Sequence, residues 1–187
     1  MTAPTGPIPA PEERPRRERR AMRVLLVDDL DRILLFRDGD LGLDPVPHWW
    51  ITPGGGVDPG ESDRAAAVRE VAEETGLVIS ESDLQGPLAT RTVVHGYSDV
   101  VTTQTEAFFL VRCPAFEVST DGHTELERLT MTEHRWWSRT ELESTTEEVW
   151  PRDVLPLWLA AEHAGDGDVD DATPRDLGRV EESTVPA

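Results

Sequence analysis

Gly54-Gly55-Gly56-Val57-Asp58-Pro59-Gly60-Glu61 leads into Ser62-Asp63-Arg64-Ala65-Ala66-Ala67-Val68-Arg69-Glu70-Val71-Ala72-Glu73-Glu74-Thr75, and Gly76-Leu77 follows. Three glycines let the backbone approach a ligand closely and turn its amides or carbonyls inward. Pro59-Gly60 is a type II turn pair, Pro at the first central position and Gly at the second. Ser62 suits an N-cap, and Asp63 is favourable in a first turn. Ala65, Ala66, Ala67 and Arg69 are strong helix formers. Gly76 offers the left-handed residue that closes a helix, and Leu77 the apolar contact after it. The stretch predicts a loop, a helix of about four turns over Ser62 to Thr75, and a second loop.

At ~100° per residue, Ala65, Val68 and Ala72 gather on one face with Val71 and Thr75 at its flank. That face is expected to pack on a sheet. Glu70, Glu73 and Glu74, spaced i, i+3, i+4, share the opposite side. Three like charges there repel, and they crowd the helix end where the macrodipole disfavours anions. Arg69, which reaches Glu73, is the nearby cation. A helix that breaks two local rules in one place is a candidate functional site, and a hard divalent cation would repair both. The competing reading is a solvated acidic face.

Outward from this segment, short apolar and β-branched runs predict strands at Arg23 to Asp28, Ile33 to Arg37, His48 to Thr52, Leu88 to Val94, Thr102 to Arg112 and Glu133 to Ser138. A turn is expected near Gly96-Tyr97-Ser98-Asp99. Glu147 to His163 reads as a terminal helix with Pro151 in its first turn and Pro156 kinking or shortening it. A mixed sheet with helices on its faces is an α+β or α/β sandwich.

The 187 residues are expected to hold one domain over 22–163 between a basic, proline-rich disordered leader (1–21) and an acidic disordered tail (164–187). The leader has five Arg against three acids and the tail seven acids against two Arg, so most of the net charge of −19 sits on the domain. That charge argues against a nucleic-acid or membrane-surface partner working through a broad basic face. Apolar runs such as Ala107 to Val111 are far below the ~20 residues that cross a bilayer, and no secretory signal follows the arginines. The expectation is a cytoplasmic protein. One cysteine, Cys113, excludes an internal disulfide and a multi-Cys metal cage, and the absence of Lys excludes a phosphate-binding P-loop.

Gly55, Glu61 and the run Arg69-Glu70-Val71-Ala72-Glu73-Glu74-Thr75-Gly76-Leu77 resemble the Nudix box at every fixed position. The match covers 55–77 directly, and the flanking strands extend it over about 22–163. The resemblance implies a Nudix-type α/β/α sandwich around a mixed sheet. It implies a Mg²⁺- or Mn²⁺-dependent hydrolase of nucleoside diphosphates linked to another group, with water attacking phosphorus. Glu70 and Glu74 would then be the main metal ligands, and Glu73 a third ligand or a water-orienting base. Arg69 would hold a Glu by an ion pair, with Glu73 as the expected partner. Glu61 would assist from the loop, and the Gly54 carbonyl would complete the coordination. Members often recruit one more acid, for which Glu125, Glu127 and Glu133 are equal candidates. The partner is a small nucleotide-type molecule, and a homodimer is left open.

Arg91, Arg112, Arg128 and Arg135 are candidate phosphate partners, with surface charge as the plainer reading. Trp49-Trp50, Trp136-Trp137, Tyr97 and Phe108 read as sheet core before base-stacking groups. His48, His95, His123, His134 and His163 show no metal-ligand spacing, and Cys113 has no His tied to it by a motif. A nucleotide-sensing module with the same fold is the alternative to an enzyme. The intact box favours the enzyme, and an interaction protein would rest on charge alone.

Overall fold

The computed structural model describes residues 8–163 and 173–187. In chain order the elements are β1 (Arg16–Asp28), β2 (Arg32–Gly39), β3 (His48–Ile51), α1 (Asp63–Thr75), β4 (Gln85–Gly96), β5 (Val101–Cys113), α2 (Glu127–Thr130), β6 (Glu133–Ser138), α3 (Arg139–Ser144), β7 (Val149–Trp150), α4 (Val154–His163) and β8 (Arg175–Glu181). The strands form one mixed sheet in the order β7-β3-β2-β1-β5-β4-β8, with β6 paired to β2 off that path. β1 runs parallel to β5 along its whole length, from Arg16 opposite Val101 to Asp28 opposite Cys113.

Both faces of the sheet are buried, which is why β1 reads as the continuous run Met22 to Val27 rather than an alternation. Met22, Val24 and Leu26 face one core, which α1 covers with Ala66, Ala67 and Val71. Leu25 and Val27 face the other, covered by Val154, Leu157, Trp158 and Ala161 of α4. The three layers are the α/β/α sandwich expected from the sequence. No helix among the described residues is long and apolar enough to cross a membrane.

One irregularity positions the site. β2 touches β1 in register only at Val27 and Ile33, then leaves it for β3 from Phe36 to Gly39. The glycine loop fills the gap. Met22 N–H donates to Gly55 O (2.9 Å), Val24 N–H to Pro53 O (2.9 Å), and Val57 N–H to Arg20 O (3.0 Å). The loop is therefore laced to a central strand by backbone bonds.

Several expectations are corrected. The charged end of the leader is the start of β1, because pairing with β5 satisfies its backbone while its side chains stay largely exposed. The acidic tail contains β8, an edge strand on β4 whose exposed, charged pattern hides it from composition. Of the expected leader and tail, residues 1–7 and 164–172 lie outside the described residues. The last helix starts at Val154, not Glu147, and Val149 and Trp150 pair with β3 instead. Pro156 falls in the first turn of α4, where a missing N–H costs no helical bond.

The packing face of α1 is also corrected. Its caps are as expected: Ser62 Oγ accepts from Ala65 N–H, and Gly76 at φ 74° donates to Ala72 O. Its buried side, however, holds Ala66, Ala67, Glu70, Val71, Glu74 and Thr75, while Ala65, Val68 and Ala72 are only half-buried. Two of the three carboxylates point inward with the core face.

Candidate active site

The site begins with two glycines whose requirements differ. Gly54 has φ 129°, and a Cβ there would lie 2.1 Å from Met22 O. A Cβ on Gly55 would lie 2.6 Å from Glu70 Oε2. The first glycine lets the chain turn against β1, and the second lets a carboxylate come up to the backbone. Gly54 N–H donates to Glu74 Oε2 at 2.8 Å. Gly54 O accepts from Arg23 Nη1, also at 2.8 Å. One lone pair of the carbonyl expected to complete the coordination is thus held by a guanidinium.

Arg69 is the hub on the helix. Nε and Nη2 grip both oxygens of Glu61 (3.0 and 2.9 Å), and Nη1 reaches Glu70 Oε1 (2.7 Å) and Glu73 Oε2 (3.0 Å). Nη2 also donates to Gly56 O at 2.8 Å. Glu73, the expected partner, takes one bond, and the Arg69 fork lies on Glu61. Its hydrogen bonds to Glu61, then to Glu70 and Glu73, raise the Arg69 pKa against burial, and those bonds in turn lower Glu61. Glu61, bound also to Asp58 N–H, ties the loop to the helix through Arg69.

Glu70 and Glu74 are 7% and 2% exposed. Burial raises both above the usual carboxylate range, Glu74 well above it. For Glu70, Arg69 opposes the rise. For Glu74 the Gly54 N–H opposes it, and repulsion from Glu70 adds to it. Glu73 is half exposed and turned outward onto Arg69. Among the described residues no three His, Cys, Asp or Glu side chains enclose an ion by themselves. The inward pair still suits a hard divalent cation. Both are oxygen donors, they repel each other, and each has one oxygen met by Arg69 or the Gly54 N–H.

The structure separates the three candidate acids. Glu125 and Glu133 are exposed, whereas Glu127 is half-buried and adds repulsion at Glu74. Glu127 is held by Thr124 N–H at 2.7 Å. The segment before it, which sequence reasoning passed over, closes the end of α1. Ser119 N–H donates to Thr75 O (2.9 Å) and His123 Nε2 to Glu74 O (3.0 Å). A Cβ on Gly122 would lie 2.3 Å from Glu73 O. The signal available was generic, since the last carbonyls of any helix need donors. Beside it opens a cavity of about 220 Å³ lined by Phe36, His123, Arg128, Met131, Glu133 and His134 among others.

Of the other arginines, Arg112 pairs with Glu162 and Arg135 with Glu141. Arg91 is not surface charge: it is 4% exposed and paired with Glu106 and Glu182. Trp49, Trp50 and Trp137 are core, with Trp49 stacked between Tyr97 and Trp150. Cys113 is buried against Val27 O, and burial pushes its thiol up to about 11, away from the thiolate that a nucleophile requires.

A family profile described as NUDIX domain matches residues 17–158. A "Putative 8-oxo-dGTP diphosphatase" of Bacillus subtilis is 47% identical over 53 residues, 28% of this chain and 32% of the relative. The "Uncharacterized Nudix hydrolase YvcI" of the same organism is 39% identical over 56 residues, 30% of this chain and 32% of the relative. The chain therefore spans about a third of the length of these curated relatives. Among solved structures, a MutT protein from Methanosarcina mazei Go1 superposes with a TM-score of 0.56 at 20% identity, covering 80% of this chain and 97% of that one. A Caenorhabditis elegans Ap4A hydrolase complex gives 0.52 at 18% identity, covering 78% and 98%. At these identities the likeness is one of fold.

Proposed function

The chain belongs to the Nudix family, and from that membership we propose that it hydrolyses the pyrophosphate linkage of a nucleoside diphosphate joined to another group, in a divalent-cation-dependent reaction. The observation that carries the reading is the inward pair Glu70 and Glu74, 7% and 2% exposed on the packing face of α1. Packing alone would place apolar side chains there, because a buried carboxylate without a full set of partners is destabilising.

Bound Mg²⁺ or Mn²⁺ would supply Lewis acidity toward the diphosphate and a more acidic attacking water. Glu70 and Glu74 would hold it, with the free lone pair of Gly54 O, Glu73 and Glu127 as further oxygen donors. Glu73 is the most exposed carboxylate of the box, which supports it as the group that would take a proton from a water arriving from solvent. Arg69 keeps Glu70 and Glu73 at fixed positions, and Glu61 acts through Arg69. The Gly54 N–H directs one oxygen of Glu74 and leaves the other for the site. The relative named for 8-oxo-dGTP is a diphosphatase of a nucleoside triphosphate, which supports a phosphoric anhydride on a nucleoside as the target.

The test is a hydrolysis panel of nucleoside triphosphates, nucleoside diphosphate-linked compounds and dinucleoside polyphosphates, with and without Mg²⁺ or Mn²⁺. Metal-dependent release from one class is expected, with kcat/KM lower by about 100-fold or more in Glu74→Gln. Undiminished turnover in that variant would remove Glu74 from its metal-holding role. Silence across the panel, with a nucleotide still raising the thermal midpoint, would establish a sensing module instead.

A further inference from the structure

Behind the glycine loop lies a row of four charged side chains that the proposed chemistry does not use. Arg23 Nε donates to Glu106 Oε1 (3.0 Å), and Arg91 Nε to Glu106 Oε2 (2.7 Å). Arg91 then closes a fork on Glu182, with Nη1 on Oε1 (2.9 Å) and Nη2 on Oε2 (2.8 Å). The four side chains are at most 7% exposed. Their signs alternate, so Glu106 and Arg91 each stand between two opposite charges.

The two ends of the row differ. At one end Arg23 Nη1 donates to Gly54 O (2.8 Å) and Thr52 O (3.4 Å), which fixes the start of the glycine loop. At the other, Glu182 follows β8, and its backbone is seated on β4. Its N–H donates to Val94 O (3.0 Å), its carbonyl faces His95 Nδ1 (2.6 Å), and Oε1 accepts from Arg152 N–H (3.2 Å). Residues beyond it dock independently of the row. Ser183 Oγ accepts from Gly96 N–H, and Thr184 Oγ1 donates to Asp40 Oδ2 (2.6 Å). A buried run of charge-assisted bonds is stiff, and removing one member is felt by the next because no water can replace it.

We propose that Glu182 is a positioning residue for the glycine loop, so that the C-terminal segment sets the placement of Gly54 through Arg91, Glu106 and Arg23. Without the Glu182 charge, Glu106 is the anion left to Arg91 and is drawn away from Arg23. Arg23 then loosens its hold on Gly54, whose N–H orients Glu74. It also stands less compensated beside the carboxylates, which opposes a cation bound there. That last consequence rests on the proposed metal-dependent function, and the placement of the loop does not.

The experiment uses the full chain carrying Glu182→Gln, with two readouts. Metal-free amide exchange is followed at Gly54, Val57, Met22 and Val24, the amides that lace the loop in place. Mn²⁺ affinity is measured by electron paramagnetic resonance. Exchange at these amides is expected to accelerate on the order of tenfold, and the Mn²⁺ Kd to rise on the order of tenfold. Glu182→Asp, which keeps the charge, should recover most of the protection and serves where the Gln variant does not fold. Thr184→Ala loosens the same segment without touching the row, and its effect should stay between Ser183 and Ala187. Unchanged loop exchange in Glu182→Gln, or equal loosening of the loop by Thr184→Ala, would overturn the proposal. A wild-type chain that binds no Mn²⁺ would overturn the metal-dependent function and leave the positioning claim to the exchange data.

Discussion

Gly55→Ala isolates the closest approach in the site. Gly55 needs no left-handed backbone, so alanine adds a methyl group and little else. That methyl would stand 2.6 Å from Glu70 Oε2 and 2.7 Å from both Cδ and Oε1, where ordinary contact begins at 3.4 Å. The carboxylate must therefore retreat by about 0.8 Å. It cannot do so freely, because Arg69 Nη1 holds Oε1 at 2.7 Å and burial leaves no solvent to receive it. A displacement near 1 Å of a positioned catalytic group costs about 10²-fold in rate, roughly 2.7 kcal/mol. The strain on folding should be about 1–3 kcal/mol. The assay is kcat/KM on the substrate class found by the panel, alongside Mn²⁺ affinity and the thermal midpoint. Both kcat/KM and affinity are expected to fall, and adding Glu70→Asp, which shortens the side chain by one methylene, should recover part of the loss. If Gly55→Ala kept kcat/KM and Mn²⁺ affinity within threefold of the parent chain, the carboxylate would not be placed by this contact, and the glycine loop would not have the role of seating it.

Two further outcomes concern the body of the protein. Burial lowers His95 to about 4, against 6.5 when unfolded, so the unfolded chain binds the extra proton first as pH falls. Its contribution to stability is full above pH 6.5 and declines toward pH 4 by up to about 3 kcal/mol. Denaturant titrations of the parent and His95→Phe should diverge across that window, and an imidazole resonance titrating near 6.5 in the folded protein would refute this. Trp158 is fully buried between α4 and the sheet, and its indole donates to Glu162 at 3.0 Å. Trp158→Ala should cost about 3–5 kcal/mol and lower the thermal midpoint by on the order of 10 °C; a loss under 1 kcal/mol would mean that α4 is not a full layer of the core.

What the sequence made legible was local. Ser62 and Gly76 delimit α1 because capping is settled within a few residues, and the expected strands other than β1 stand within about three residues of their bounds. What it hid depends on partners far away in the chain. Arg16 to Arg20 reads as a solvated charge run, and only pairing with Val101 to Thr105 makes it a strand. Arg175 to Glu181 is hidden for the same reason by β4. Arg91 resembles any exposed arginine until Glu106 and Glu182 are brought to it. Glu127 cannot be told from Glu125 or Glu133 without the fold that brings it near Glu74.

The reversed face of α1 has a different cause. Sorting a helix by hydrophobicity assumes that charge seeks water, and that assumption fails where a site is built. Here Glu70 and Glu74 occupy the side that Ala67 and Val71 bury, near the helix end where the dipole opposes them. The surroundings offset part of this: Arg69 for Glu70, the Gly54 N–H and the Arg23 charge for Glu74, and the His123 ring on the Glu74 carbonyl. The offset is incomplete, since both carboxyl groups remain shifted toward the protonated form. On the proposed metal-dependent function, a divalent cation would displace those protons and supply the missing compensation, so that stabilisation would be deferred to ligand binding. The thermal midpoint should therefore rise with added Mg²⁺ or Mn²⁺ in the parent chain and respond least in Glu74→Gln, which keeps the shape and removes the charge. An equal rise in both would mean that the cation binds elsewhere, and that the buried carboxylates stabilise nothing but their own hydrogen bonds.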